Sequence, residues 1–422
     1  MANYELRIDT QELKKALDVL STVVNKKNAL PILADACVRF DRQRKLFSIE
    51  ATNTEQHLRL ECWTPDEKAP QGERPWMFLD GDSKEQPLDA FCINVQSFRE
   101  AFATLPATPA TCYLKMQDGG GSIRVCYGKG ECTLPVELAT EFPTMPQVVT
   151  KDGEQREGVS PVVRFSMETA RLLPTIAAAR CCAANDELRP VMNTVVIDAF
   201  HDRMVIVASD GHSLYRQNVD TGMGWLKYGE FGATDSAKLL IPTQALTPLM
   251  KALGQAESFT VTADTQRISF ETTDGIVRLT TVCIEGRYPN YESVIPNDLP
   301  HRVTVDRQEL QATLNRITIF SEAASNLAIM QREDDDHLVL TAADDTFGRK
   351  ATEQVAIINP DTTLPERTPI GFKIATMTKL LQCITTDNVV LEAGTPDRAM
   401  LLREDTTVSG LTLLLMPMLV NQ

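Results

Sequence analysis

The chain repeats one order of strands and helices three times, and this repeat restricts its fold more than any other feature. In each copy a short segment of alternating apolar residues leads into a helical pattern of period 3.6. The segments read YELRI, VVRFS and RVTV, and the patterns predict helices that begin at Asp9, Ser166 and Asp306. Asp9 and Asp306 are each followed three residues later by glutamate, a variant of the helix capping box. Three such units in one chain predict a threefold architecture.

The remainder of each copy keeps the same order of elements. Each copy has a strand that runs into a polar turn, around Asn53, Asp210 and Asp344. Each then has a second amphipathic helix, within residues 93–105, 240–253 and 370–384. The repeat therefore predicts three tandem domains of similar fold, at residues 1–150, 160–298 and 299–422. Chance similarity between short apolar helices is the alternative, and the preserved order of all the elements argues against it.

The composition excludes secreted, membrane and metal-binding classes. The first residues carry charges at Glu5 and Arg7 rather than an apolar signal segment. The longest apolar run, residues 411–420, is about half the length that a membrane-spanning helix needs. The ten cysteines form no C-x-x-C motif and have no histidine partners at zinc spacing. We therefore expect reduced, mostly buried thiols, a cytoplasmic location and no metal or other cofactor.

The net charge of −15 argues at first against nucleic acid as a partner. The charges are distributed unevenly, however. Acidic residues concentrate in predicted loops, whereas the predicted helices and their flanks carry basic residues, namely Lys14, Lys15, Arg99, Arg171, Arg180, Lys251, Arg307, Arg316 and Lys379. If these helices share one surface, that surface is mildly basic. The alternative for each residue is the solvated face of an ordinary amphipathic helix.

No group of residues predicts catalysis. Ser209, Asp210 and His212 are the residue types of a hydrolase triad, but within four positions they cannot adopt triad geometry. A turn between two strands, in which Gly211 permits a positive φ, is the better interpretation. Glu285 and Arg287 precede Pro289 and are interpreted as residues of a domain boundary rather than as an acid–base pair. Two alternative hypotheses stay open. One is an enzyme that uses Asp210 and His212, and the other is a repeat scaffold that does not bind nucleic acid.

Five segments resemble one known family. They are DELRPVMN at 186–193, ASDGHSL at 208–214, IEGRYPNYESVIP at 284–296, IGFK at 370–373 and MPM at 416–418. In this order they resemble the bacterial DNA polymerase III β sliding clamps, and the resemblance extends over essentially the whole chain. It implies an α+β clamp fold of three similar domains, each with two helices packed on antiparallel sheets. It also implies that two chains close head to tail into a ring that slides on double-stranded DNA as a non-catalytic subunit of the replicative polymerase.

The resemblance further implies a hydrophobic peptide-binding groove between the middle and C-terminal domains. Its partners would be the polymerase catalytic subunit, the clamp loader, and other polymerases and repair proteins that carry short motifs with glutamine and bulky apolar residues. The segment 406–422 contains no side-chain charge, and its methionines suit a surface that accepts several peptides. The matching groove positions are Met192, Ser209, Gly211, His212, Leu214, Pro289, Val294, Met377, Leu414, Leu415, Met416, Pro417 and Met418.

Two further sets of residues are expected to face DNA and the second copy. Lys27 matches a DNA-contacting position of the family, and the predicted helices add Arg99, Arg180 and Lys251. The positions that match the family's dimer interface are Cys132, Leu134, Ile319 and Phe320.

The chain also departs from the family pattern. Leu419 follows Met418 where an arginine is frequent, and Pro190 and Val191 replace tyrosines of a DNA-contacting loop. Residues 63–90 and 221–236 read as inserted loops.

Overall fold

The structure is a computed structural model that describes residues 2–24, 30–41, 46–63, 77–81, 89–117, 119–144, 163–221, 226–228, 236–264, 266–358, 363–406 and 410–420. Six α-helices lie in these ranges: α1 (Thr10–Leu20), α2 (Val95–Ala103), α3 (Thr169–Ala179), α4 (Thr243–Leu253), α5 (Arg307–Ile317) and α6 (Ile374–Leu381). Each predicted copy of the repeat contains two of them. No helix in the described ranges has the length and apolar character that crossing a membrane requires.

The predicted aspartate caps are confirmed. The Asp9 carboxylate accepts hydrogen bonds from the backbone N–H groups of Gln11 and Glu12, at 2.9 and 3.1 Å. The Asp306 carboxylate accepts one from the N–H of Glu309 at 2.7 Å. Each cap satisfies N–H groups that have no partner within their own helix.

The predicted start of the third helix at Ser166 is wrong. Helix α3 begins at Thr169, because the chain stays extended through Glu168 with Phe165 and Met167 buried on one face. Ser166 instead lies in register with Thr260 of the neighbouring strand, and their hydroxyl oxygens are 2.9 Å apart.

The strands of the described chain, in order, are β1 (Ala2–Ile8), β2 (Asp35–Asp41), β3 (Leu46–Thr52), β4 (Gln56–Trp63), β5 (Met77–Gly81), β6 (Ala90–Asn94), β7 (Ala110–Gln117), β8 (Gly120–Tyr127), β9 (Gly130–Val136), β10 (Val163–Glu168), β11 (Thr194–Ala199), β12 (Met204–Ser209), β13 (Ser213–Val219), β14 (Leu226–Tyr228), β15 (Ala237–Pro242), β16 (Ser258–Ala263), β17 (Arg267–Thr272), β18 (Val277–Val282), β19 (His301–Asp306), β20 (Leu327–Arg332), β21 (His337–Asp344), β22 (Arg349–Ala356), β23 (Ile370–Lys373), β24 (Asn388–Ala393), β25 (Met400–Glu404) and β26 (Leu411–Leu415). Every ladder between these strands is antiparallel, as the predicted α+β class requires.

Packing divides the chain into two compact units. The first unit comprises Met1–Leu173, Gly224–Glu230 and Gln244–Cys283. It contains a five-stranded sheet in the order β5-β1-β7-β8-β9 and a nine-stranded sheet in the order β14-β10-β16-β17-β18-β4-β3-β2-β6. Helices α1 and α2 pack against each other in this unit. In the larger sheet β4 pairs with β18, so strands from two copies of the repeat form one continuous sheet.

The second unit comprises Pro174–Met223, Phe231–Thr243 and Ile284–Gln422. Its sheets have the orders β15-β11-β12-β13-β26-β25-β24-β19 and β22-β21-β20-β23, and α5 packs against α6. Strand β13 pairs with β26, which again joins two copies of the repeat in one sheet.

Both segments that read as inserted loops contribute an edge strand. In the segment 63–90, β5 pairs with β1, and in 221–236, β14 pairs with β10. The loop interpretation is therefore wrong for these stretches, because the exposed edges of β1 and β10 each gain backbone partners. The other residues of the two segments lie largely outside the described ranges.

Candidate functional site

The segment that joins β12 to β13 is a tight, hydrogen-bonded turn. The Asp210 carboxylate accepts from the N–H of His212 at 2.9 Å and from the N–H and hydroxyl of Ser213 at 2.7 and 3.0 Å. The Ser209 hydroxyl donates to the Ser213 carbonyl at 2.9 Å and accepts from the N–H of Gly211 at 3.2 Å. Gly211 has a φ of +88°, which favours glycine. These polar groups stabilise the turn itself, as predicted, and none is arranged as a triad.

The segment after β26 is held at two points within the second unit. The N–H of Met416 donates to the carbonyl oxygen of His212 at 2.8 Å. The N–H of Met418 donates to the carbonyl oxygen of Gly371 on β23 at 2.7 Å. A Cβ atom at position 371 would lie 2.6 Å from the Met418 carbonyl oxygen, so this close approach requires glycine. We call residues 416–418 the tail segment; it bridges the turn and β23.

Strand β26 brings further predicted groove residues into the sheet. Leu414 pairs with Leu214 and Leu415 pairs with Ser213, so the end of β26 lies beside the start of β13. Leu214, Leu414 and Leu415 are almost completely buried, and so is Met377 on α6.

One apolar cluster joins residues that are far apart in the sequence. It consists of Ala184, Met192, Val196, Val205, Val207, Leu214, Leu240, Tyr288, Tyr291, Leu401 and Leu414. Three predicted groove residues therefore share one core, whose remaining members the sequence analysis did not identify. We call this set the shared cluster.

Other predicted groove residues are accessible on the surface of the same unit. Gly211, His212 and Pro289 are exposed, and Ser209, Pro417 and Met418 are half-buried. Val294 is 53% exposed and Met416 is 40% exposed, and large apolar side chains with such exposure are candidates for partner contacts. Leu419, which was not among the predicted residues, is 87% exposed. Its apolar character next to Met418 was the signal that would have identified it.

A buried polar network supports the segment that carries Val294. The hydroxyl of Tyr291 donates to the Asp198 carboxylate at 2.7 Å, and the Lys238 ammonium lies 3.6 Å from the same oxygen. Burial, reinforced by the Asp198 charge, raises the pKa of Tyr291. The hydroxyl therefore remains a donor at neutral pH. Local sequence patterns do not predict this network, because its members are distant in the sequence.

The loop 186–193 folds back on itself beside the turn. Asp186 and Asn193 exchange two hydrogen bonds, each of 2.9 Å, between backbone and side chain. The Arg189 guanidinium lies 2.9 Å from the Asp186 carboxylate, and its hydrogen bond lowers the pKa of that acid. The same guanidinium would lie 3.3 Å from a Cβ atom at Gly211, so the loop reaches the turn.

The predicted DNA-facing residues occupy several helices. Lys27 lies outside the described residues. In the first unit, Arg99 and Lys251 meet at Asp18: the Arg99 Nε is 2.6 Å from the carboxylate, and the Lys251 ammonium donates to the backbone carbonyl at 3.0 Å. Arg180 is exposed just after α3.

The predicted dimer residues lie at accessible positions. Cys132 and Leu134 are half-buried on β9, the last strand in the order of its sheet. Ile319 is 68% exposed and Phe320 is 37% exposed, in the short turn that follows α5. Within the described ranges, no group of three or more histidine, cysteine or acidic side chains has the arrangement of a metal site.

Two family models match the chain in succession. The central domain of the DNA polymerase III beta subunit matches residues 166–290, and the C-terminal domain of the same subunit matches residues 292–419. Together they span more than half of the chain. The chain belongs to the DNA polymerase III beta subunit family.

Relatives of this beta subunit family carry the name beta sliding clamp. The protein of Pseudomonas putida is 21% identical over 407 residues, which cover 94% of this chain and 95% of the relative. The protein of Synechococcus elongatus is 22% identical over 333 residues, which cover 74% of this chain and 82% of the relative.

Solved structures of the beta subunit family share the fold. The DNA polymerase III subunit beta of Pseudomonas aeruginosa has a TM-score of 0.80 at 19% identity, and covers 99% of this chain and 100% of its own. The DNA polymerase sliding clamp of Bacillus subtilis has a TM-score of 0.80 at 17% identity with the same coverage. The α+β clamp fold that the sequence motifs implied is therefore confirmed. The beta subunit is a non-catalytic component of the polymerase, in agreement with the prediction of no intrinsic catalysis.

Proposed function

We propose that the chain is the processivity clamp of a bacterial replicative DNA polymerase. Two copies would close head to tail into a ring around duplex DNA, and the ring would slide while a groove in each copy tethers partner proteins. The main support is the convergence of the five resembling segments within the second unit. The three domains predicted at 1–150, 160–298 and 299–422 are part of this proposal, and so is a cytoplasmic location.

The convergence rests on named contacts. The tail segment bonds to His212 and to Gly371, which belong to two of the other segments. Met192, Leu214 and Tyr288 pack in the shared cluster. They belong to the segments 186–193, 208–214 and 284–296, respectively. Segments that pack together around an exposed apolar surface are a reasonable place for a docking site.

The predicted groove residues would act in two layers. The buried side chains of Met192, Leu214, Met377, Leu414 and Leu415 would support the site without direct contact to a peptide. The exposed Val294, Met416 and Leu419 would contact a partner's bulky apolar residues. An unbranched methionine side chain adapts to partners of different shape, which suits a surface used by several proteins.

The polar members would orient the peptide. Gly211 and His212 are exposed beside the point where Met416 bonds to the turn. We propose that Gly211 and His212 contact the glutamine of the partner motif. Ser209 and Pro289 would lie at the margin of the site. The partners would be the polymerase catalytic subunit, the clamp loader, and other polymerases and repair proteins.

The expected affinity is moderate. Burial of one leucine or phenylalanine side chain contributes roughly 1.5–3 kcal/mol before ordering costs. A short flexible peptide loses much of this when it becomes ordered. A dissociation constant on the order of micromolar follows, which lets partners exchange on one clamp.

Ring closure would use one surface from each unit. Strand β9 is the last strand in its sheet order and carries Cys132 and Leu134, and an edge strand offers unpaired backbone groups to another chain. Ile319 and Phe320 present apolar side chains after α5, and burial of such residues is typical of an interface core. We propose that these two surfaces meet between copies.

The contact with DNA would be weak and independent of sequence. Several basic residues of the helices are paired with carboxylates, as in the ion pairs of Lys15 with Glu12 and of Arg171 with Glu168. Partial neutralisation limits how strongly each residue binds phosphate, and weak phosphate contacts let a ring slide. A diffuse basic lining would be formed by Lys27, Arg99, Arg180 and Lys251 together. The closed ring, rather than these contacts, would retain the DNA.

The groove assignment is tested by removal of residues 416–422. Because β26 ends at Leu415, the truncated protein should keep its sheet and its fold. Isothermal calorimetry with a peptide from the polymerase catalytic subunit should show a loss of affinity of roughly tenfold or more, equivalent to about 1.4 kcal/mol.

A thermal melt of the truncated protein distinguishes the loss of part of the binding site from the unfolding of the second unit. The matched control is Phe347→Ala, which removes another exposed apolar side chain of the second unit and should leave peptide affinity unchanged. Unchanged affinity in a truncated protein that melts normally would contradict the groove assignment.

A further inference from the structure

Three thiols meet in the second unit, in a place that the proposed function does not use. The Sγ atom of Cys181, just after α3, lies 3.1 Å from the Sγ of Cys383, which follows α6. It also lies 3.5 Å from the Sγ of its neighbour Cys182. Cys181 and Cys383 are separated by 202 positions in the sequence, so only the fold brings them together.

The geometry points to a reversible oxidation site: we propose that Cys181 and Cys383 form a disulfide when the protein meets a peroxide. A disulfide has a sulfur–sulfur distance of about 2.05 Å, so the two atoms need to approach by only about 1 Å. Cys181 and Cys383 are both partly accessible, whereas Cys182 is buried. Adjacent cysteines are poorly placed to form a bond with each other, so the pair across the two segments is the one that closes.

The surroundings favour Cys181 as the attacking sulfur. Hydrogen bonds with the thiols of Cys182 and Cys383 hold the pKa of Cys181 below its usual value, and the Lys379 ammonium adds to this effect. The same interaction with Cys181 raises the pKa values of Cys182 and Cys383. The thiolate is the reactive form of cysteine, and reactive cysteines lie in partly exposed, electropositive surroundings.

The chemistry proceeds in two steps with peroxide as the oxidant. The Cys181 thiolate attacks a peroxide oxygen, the O–O bond breaks, and the departing hydroxide takes up a proton as water, which leaves a sulfenic acid. The neutral Cys181 then no longer disfavours loss of the Cys383 proton. The Cys383 thiolate attacks the Cys181 sulfur, the S–O bond breaks, and the departing hydroxide takes up the proton that Cys383 released and leaves as water. The two sulfurs lose two electrons in total, and hydrogen peroxide is reduced to two waters.

The site lies directly behind the turn and the last strand. The Cys182 thiol is hydrogen-bonded to the side chain of Ser213, whose backbone pairs with Leu415. Oxidation would therefore add a covalent bond between the end of α3 and the end of α6. In a reducing compartment the resting state is the dithiol, and disulfides there are typically transient. The inference does not depend on the proposed function.

The test is peptide mapping of the full-length protein after treatment with hydrogen peroxide and alkylation of the remaining thiols. We expect a peptide with Cys181 to be linked to one with Cys383, and the link to disappear after dithiothreitol. Absence of this link in oxidised wild-type protein would overturn the proposal, and this result needs no variant.

Cysteine-to-serine variants identify which two sulfur atoms form the disulfide. Cys181→Ser and Cys383→Ser should abolish the link, whereas Cys182→Ser and Cys283→Ser, which changes a cysteine of the first unit, should keep it. A link that persists in Cys181→Ser would place the bond on Cys182 and contradict the assignment. As a second readout, the oxidised wild type should melt roughly 5 °C higher than the reduced protein, because a crosslink across a long loop restricts the unfolded chain. Cys383→Ser should show no such shift.

Discussion

The N–H of Met418 and the carbonyl oxygen of Gly371 form a hydrogen bond of 2.7 Å that holds the tail segment against β23. The contact leaves no space for a side chain at position 371, where a Cβ atom would be 2.6 Å from both the Met418 oxygen and a Val420 methyl carbon. A backbone oxygen cannot turn aside as a flexible side chain can. The position of the tail segment therefore depends on this glycine.

Gly371→Ala should displace the tail segment and weaken peptide binding by roughly fivefold, or about 1 kcal/mol, while the dimer persists. Calorimetry with the polymerase peptide measures this loss. Gly394→Ala is the control, because a Cβ atom there would meet only side-chain atoms, with Leu299 at 3.3 Å and Arg398 at 3.6 Å. Equal peptide affinities for both variants and wild type would show that the tail segment does not form part of the site.

Replacement of Ile319 and Phe320 by alanine should weaken the dimer. Burial of each side chain in an interface contributes roughly 1.5–3 kcal/mol, so the dissociation constant should rise by about a hundredfold or more. Light scattering at low micromolar concentration should then report a smaller average mass. Phe347→Ala, at a position that is 70% exposed, controls for the loss of surface apolar area. A double variant with the dimer mass of the wild type would contradict the proposed interface.

Asp18→Asn should strengthen retention on DNA slightly. The Asp18 carboxylate pairs with Arg99 at 2.6 Å, so its removal leaves the positive charge of Arg99 uncompensated. We expect roughly a twofold longer residence on circular DNA at low salt, with the gain lost as salt screens the charge. Arg99→Ala should shorten residence by a similar factor.

The control for this prediction is Asp202→Asn, which removes the same charge from an ion pair with Arg203 in the other unit. If both asparagine variants gain the same residence time on circular DNA, the effect is due to net charge. That result would contradict a basic lining that includes Arg99.

The sequence predicts well those features that depend on neighbouring residues. Asp9 and Asp306 cap their helices because the N–H groups that they bind are two or three positions away. The start of α3 was misplaced at Ser166 because helical periodicity does not reveal where the preceding strand ends. That boundary depends on the pairing of β10 with β16, more than ninety positions away in the chain.

Local sequence patterns do not predict contacts between segments that are distant in the chain. The continuity of β4 with β18 and of β13 with β26 depends on the folded arrangement, as does the meeting of Cys181 and Cys383. The resemblance predicts which positions belong to the proposed groove but not how deeply each is buried. Leu214 and Leu414 proved to be core residues, whereas the unpredicted Leu419 is exposed.

In the proposed function, encirclement rather than tight binding retains the protein on DNA. The full-length protein is loaded onto nicked circular DNA with the clamp loader of its own polymerase, and the complex is isolated. The circle is then cut once, and the protein retained on the DNA is measured before and after cutting. We expect the protein to stay on the intact circle and to be lost within minutes after cutting, when both samples are kept at the same salt concentration. Equal retention on circular and linear DNA, or equally rapid loss from both, would contradict it.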